Sequence, residues 1–185
     1  GRGQRGRSWA SPRGGVYLSI ALQSSLVRPL ASAGIRAAVG ALLTIEALQP
    51  TLSPALTLKW PNDILLHDRK VGGVLCEASG PYLVVGVGLN SGSSPDLGAH
   101  DGLPAAGLGL DADFAGQAAQ LLRECNRTLL ADLPTTLRVA ERRLAFRNRR
   151  VRAQTPSGPV EGCLVGLGGT GELLLETEGG QTRVH

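Results

Sequence analysis

Residues 56–90 read LTLKWPNDILLHDRKVGGVLCEASGPYLVVGVGLN. The apolar runs LTLKW, DILLH, VGGVLCEA and YLVVGVGLN are separated by Pro61, by the polar HDRK turn and by Ser79-Gly80-Pro81. Such short runs, closed by Pro, Gly and Asp, predict strands. Connections this tight can only join antiparallel neighbours, because a parallel pair needs a long crossover. Working outward, VYLSIAL at 16–22 follows Gly14-Gly15 and predicts one more strand. From Leu30 to Leu48, apolar residues recur at helical spacing (Ile35, Ala38, Val39, Leu42, Leu43, Ile45), and Pro50 lies just beyond. A long amphipathic helix needs a sheet face to cover. The fold class is therefore α+β, a mixed, largely antiparallel sheet covered by helices.

Downstream, residues 91–109 are rich in Gly, Ser, Pro, Asp and Ala and predict a long surface loop. Helices are expected over 113–131, capped by Asp111 or Asp113, and over 134–146, started by Pro134. After RNRR at 147–150 the pattern changes to short strands (151–153, 160–167, 172–176, 182–184) with glycine-rich turns, a small all-β appendage. With 185 residues, 42% hydrophobic and 18% charged, the chain is globular rather than disordered. It has no run of 18 apolar residues and no signal-peptide pattern. Cys76, Cys125 and Cys163 are odd in number and far apart, so they read as reduced, partly buried thiols; with scattered histidines they exclude a zinc-type ligand set. The net charge of +4 suits nucleic acid or a phosphorylated small molecule equally.

Two stretches can carry chemistry. The opening GRGQRGRSW (1–9) offers unhindered N–H groups and guanidinium forks for phosphate or carboxylate oxygens, or else a solvated arm; Trp9 supplies a plane to cover a bound ring. In KWPNDILLHDRKVGG (59–73), Pro61 biases Trp60 toward an extended conformation and presents Asn62 and Asp63 at a bend. Asp63 can hold Mg²⁺ or accept a proton. Lys70 is a compact ammonium able to follow charge between a carboxylate and a phosphate, and Gly72-Gly73 leave the backbone open to a flat ligand. Both lysines of the chain lie here, against seventeen arginines. GVGLN at 86–90 is followed by Ser91, so it is not a dinucleotide fingerprint, and GLGGTG at 166–171 lacks the Gly-Lys-Ser/Thr ending of a phosphate loop. Neither G-x-S-x-G nor H-E-x-x-H occurs.

GRGQRGRSW, GGVYLSI, KWPNDILLHDRKVGGVLCE and VVGVGLN, in that order, resemble the catalytic domain of biotin protein ligases; VEGCLVGLGGTGELLLETEGG more loosely resembles their SH3-like β domain. The resemblance implies a class II synthetase-like catalytic domain over 1–147 and a small SH3-like barrel over 148–185, with further family residues before Gly1 and after His185. It implies that ATP and biotin are substrates with Mg²⁺, that biotinyl-5′-AMP is the intermediate, and that a lysine of a biotin carboxyl carrier protein (an acetyl-CoA carboxylase subunit) is the acceptor. Carried over by position, Lys70 and Arg2 are catalytic. Arg2, Gly3, Gln4, Lys70, Gly73 and Leu75 bind biotin or the adenylate. Trp9, Asn62 and Asn90 contact ATP, Asp63 holds Mg²⁺, and Lys59 is a structural or phosphate-side charge. Gln4 stands where many relatives have Arg, so faster escape of biotinyl-AMP is expected. The family also implies a cytoplasmic enzyme able to pair sheets as a homodimer. A lipoate ligase relative is the rival enzyme, although its Arg-Arg-x-Gly-Gly-Gly-x-Val-type stretch is absent. A biotin-operon repressor would require an upstream DNA-binding segment; these residues contain no recognition helix, so DNA is not supported as a partner.

Overall fold

The computed structural model describes residues 1–3, 6, 9, 11–92 and 103–185. Strand β1 (Val16–Gln23) is followed by a 3-10 turn at Leu30–Ser32 and helix α1 (Ala33–Leu48). Then come β2 (Leu56–Lys59), β3 (Asp63–Leu66), β4 (Arg69–Ser79) and β5 (Tyr82–Leu89). The five strands form one antiparallel sheet in the order β1-β5-β4-β3-β2. His67 and Asp68 both have positive φ (50° and 58°), which lets the HDRK turn close β3 onto β4 within two residues. The Trp60–Pro61 peptide is cis.

Side chains alternate across a strand, and Leu83, Val85, Val87 and Leu89 of β5 all point into the main core with Val74 of β4. Helix α1 covers that face, burying Ile35, Ala38, Val39, Leu42 and Ile45 at the spacing read from sequence. By length and hydropathy (1.4) the segment Leu30–Leu48 could cross a membrane, but 67% of it is buried inside the fold as the central helix. Helix α2 (Phe114–Leu130) packs on α1; Asp113 caps it by accepting a bond from the Gly116 N–H at 2.9 Å. Arg36, buried on α1, donates to the carbonyls of Leu129 and Ala131 at the far end of α2, satisfying helix-terminal acceptors.

Helix α3 spans Leu133–Arg142, shorter than the expected 134–146. Its start is set by Asp132, which accepts from the Thr135 N–H, with Pro134 in the first turn. It ends early because residues 143–145 leave the helix to lie along the outer edge of β2: Leu58 N–H donates to the Arg143 carbonyl and Ala145 N–H to the Leu58 carbonyl. Strands β6 (Arg150–Thr155), β7 (Gly158–Leu167), β8 (Leu173–Thr177) and β9 (Gly180–Val184) make a second antiparallel sheet, consistent with an SH3-like unit. Its separate core is Leu144, Leu164, Leu173, Leu175 and Val184, with Trp60 and Phe146 packed against it.

Candidate active site

The sheet face opposite α1 carries the charged residues. Across its five strands one register row runs Lys59, Asp63, Gly73, Gly88, Tyr17. Side chains in such a row share a face, so the row is charged at one end, empty over the two glycines and aromatic at the β1 edge. The empty centre is filled by Trp9. A Cβ on Gly73 would stand 2.9 Å from its ring, and one on Gly88 3.0 Å, so the glycines are what allow the indole to lie against the strands. The Trp9 Nε1 is buried with no hydrogen-bond partner among the described residues. Leu75, opposite Gly86, continues the same face.

Lys70 reaches this face through an irregularity. Asp63 pairs with Gly73 and Ile64 with Gly72, but Leu65 pairs with Lys70, leaving Val71 as an extra residue in β4. The bulge resets the alternation: Val71 turns into the main core, fully buried, and Lys70 turns toward Asp63. Lys70 Nζ lies 2.7 Å from Asp63 Oδ1 and 5.0 Å over the Trp9 ring; Lys59 Nζ lies 3.9 Å from Asp63 Oδ2. Asp63 is buried, and a buried carboxylate requires such partners.

The backbone of Lys70 is clamped by the return of the long loop. Its N–H donates to the Pro104 carbonyl and its carbonyl accepts from Ala106 N–H, both at 2.9 Å. Asn90 fastens the same contact: its side-chain NH₂ donates to the carbonyls of Lys70 (3.3 Å) and Ala106 (2.9 Å), and Leu108 N–H donates to the Asn90 carbonyl. Asn90 is buried, and its amino group is engaged in this clamp. Sequence reading did not foresee this positioning role, which depends on where the loop returns. Asn62 likewise donates to the Val74 carbonyl while Val74 N–H returns a bond to Asn62 O, holding the bend onto β4. Arg2 is exposed and Gly3 partly buried; neither is an ion-pair partner of Asp63 among the described residues. Gln4 lies outside the described residues.

A separate cavity of about 430 Å³ opens between the start of α1, the Trp60–Asn62 bend and the second sheet. Its lining includes Cys76, whose thiol burial pushes up to about 12, and Glu172. Two of its polar lining residues are engaged within the fold: Asn62 with the Val74 carbonyl, and Glu172 with Thr170 and Arg183.

The arrangement is a strip of glycine backbone on which the Trp9 indole rests, with two ammonium groups at one end; a flat slot opens there when the indole moves aside. That suits a planar ligand carrying an anionic group. Comparison with known proteins agrees. Residues 1–90 match the biotin/lipoate A/B protein ligase family and 147–185 the biotin protein ligase C-terminal domain. The chain is 33% identical over 198 residues to the biotin–[acetyl-CoA-carboxylase] ligase of Mycobacterium tuberculosis, covering 100% of this chain and 72% of that protein. The chain belongs to the biotin protein ligase family. It is also 32% identical over 194 residues to the bifunctional ligase/repressor BirA of Escherichia coli, covering 97% of this chain and 59% of that one. Among solved structures, the Aquifex aeolicus biotin protein ligase in complex with biotin and ATP superposes with a TM-score of 0.83 at 26% identity, covering 99% of this chain and 80% of that one.

Proposed function

We infer that the chain activates biotin with ATP and transfers it to a carrier lysine. The observation that carries the reading is Lys70, ion-paired to buried Asp63 and poised at the end of the glycine-floored slot. In the first step a biotin carboxylate oxygen bonds to the α-phosphorus of ATP and the bond to the bridging oxygen breaks, releasing pyrophosphate and leaving biotinyl-5′-AMP. In the second an acceptor lysine amine attacks the acyl carbon, AMP departs and the amine loses a proton. Both reactants of the first step are anions, so a fixed ammonium between them lowers the barrier by neutralising charge where it develops. The slot orients the biotin ring, and the indole over it keeps water from a labile mixed anhydride.

Gly73 and Leu75 are assigned to biotin, Lys70 and Arg2 to the reacting groups, Lys59 and Asn62 to the phosphate side, and Trp9 to the ring it covers once ligand has entered. The acceptor is a biotin carboxyl carrier domain, the compartment the cytoplasm, and a second copy pairing along β1 the dimer. Mg²⁺ enters with ATP. The described donor set does not fit a protein-held ion: Asp63 is the one carboxylate of the site, already shared between two ammonium groups, and no cluster of three or more His, Cys, Asp and Glu exists among the described residues.

The test is purified chain with biotin, MgATP and a carrier domain, read as biotin on the carrier. Lys70→Ala should lower transfer about 100-fold to 1,000-fold. Transfer without ATP, or undiminished by the substitution, would sink the reading; preference for lipoate over biotin would redirect it.

A further inference from the structure

Lys59 and Lys70 come from different strands, β2 and β4, and converge on the two oxygens of one carboxylate that lies between them on β3. We propose that Asp63 is a positioning residue, a shared counter-ion that holds both ammonium groups beside the slot until an anionic ligand takes them over, and not a metal ligand. The proposal rests on the ligase reading for the identity of that ligand, but its geometry does not. Two unpaired ammonium groups converging on one site repel, and each long lysine side chain would otherwise sample many rotamers. Asp63 removes both costs in advance. Its place on the sheet is fixed by its neighbours in register, Lys59 on one side and Gly73 on the other. A carboxylate already contacted at 2.7 Å by one ammonium could bind a divalent ion only by displacing it. When a carboxylate or phosphate enters the slot, Lys70 can turn to it from Asp63 without crossing the sheet.

Because the chain has two lysines, a spectrum of protein labelled with ¹⁵N only in lysine side chains contains two signals, each assigned by a Lys→Arg exchange. We expect both signals to stay in place when Mg²⁺ alone is added to the unaltered protein, and both to move in Asp63→Asn. We expect Asp63→Asn to lower the maximal rate of biotinyl-AMP formation about 100-fold while the Mg²⁺ concentration for half-maximal rate changes less than about twofold. Displacement of the lysine signals by Mg²⁺ alone would overturn the proposal. So would an Asp63→Asn enzyme that needs tenfold more Mg²⁺ and regains its full rate when given it. If Asp63→Asn does not fold, the Mg²⁺ titration of the unaltered protein decides. The labelling arm needs no turnover, so a chain that made no adenylate would refute the ligase reading and still test the counter-ion.

Discussion

A single methyl group probes the slot. Gly88→Ala would place a Cβ 3.0 Å from the Trp9 ring, and the indole must then lift away or the ligand share its space. Overpacking of this kind costs about 1–3 kcal/mol, so the melting temperature of the unliganded protein should fall by several degrees, and a ligand on the same glycine floor should meet the same methyl, lowering biotin affinity about tenfold to a hundredfold in a binding titration. At the same scale, Gln4→Arg should slow the dissociation of biotinyl-AMP, measured by chasing labelled adenylate; unchanged dissociation would mean that position 4 does not clamp the product. Lys70 and Gly73 were legible because Lys is rare in this chain and paired glycines in a strand leave room above the backbone. The structural tie made by Asn90 was not legible, because a sequence cannot say whether an amide ending a strand also fastens the loop folding back over it; here it bonds the return of 104–110.

Among the elements, the β4 bulge and the 168–172 turn carry the consequences. Strict alternation from Gly73 would send Lys70 into the core and Val71 to the ligand face; the extra residue exchanges them. Reading apolar runs between turn residues found every strand of the first sheet and could not find this, since a bulge appears only when a partner strand supplies the register. Asn90→Ala should loosen the bulge's outer support, costing about 1–3 kcal/mol for the buried acceptors left behind and lowering the adenylation rate. In the turn, the Thr170 hydroxyl, backbone N–H groups and Arg183 hold the Glu172 carboxyl at about 2, below its ordinary 4.5. The folded state thus binds fewer protons than the unfolded one between these values. This contribution to stability is complete above pH 4.5 and is lost as pH falls toward 2. Glu172→Gln should flatten the acid dependence in that window, followed by Trp60 emission in a Trp9→Phe background. Trp60 is a suitable reporter because its indole N–H donates to the Gly171 carbonyl at 2.8 Å.

For the whole molecule, that indole bond is one tie of the second sheet to the first; others are residues 143–145 laid along β2 and Leu167 of β7 packed against the main core. The division expected from sequence at 147/148 is crossed by the second core, which draws in Trp60, Leu144 and Phe146 from before that point. Sequence composition marked where the strands of the second sheet begin; it could not show a tryptophan of the first sheet's bend completing the second core. Trp60→Phe should cost about 1 kcal/mol through the lost bond and separate the unfolding of the two sheets, seen as a broadened or split calorimetric transition. A single unbroadened transition would mean that the remaining ties, residues 143–145 and Leu167 on the main core, suffice.

The convergence of both lysines on Asp63 also bears on what the chain does to itself. An enzyme that makes an acyl phosphate is exposed to acylation by its own product at any free side-chain amine. Here positive charge elsewhere is carried by seventeen arginines, whose guanidinium groups are poor nucleophiles at neutral pH, and the two amines present are paired with a carboxylate. Incubated with biotin and MgATP in the absence of carrier, the chain should label its own side chains sparingly. An Arg149→Lys variant, which sets an amine at an exposed position with no carboxylate partner among the described residues, should become labelled there.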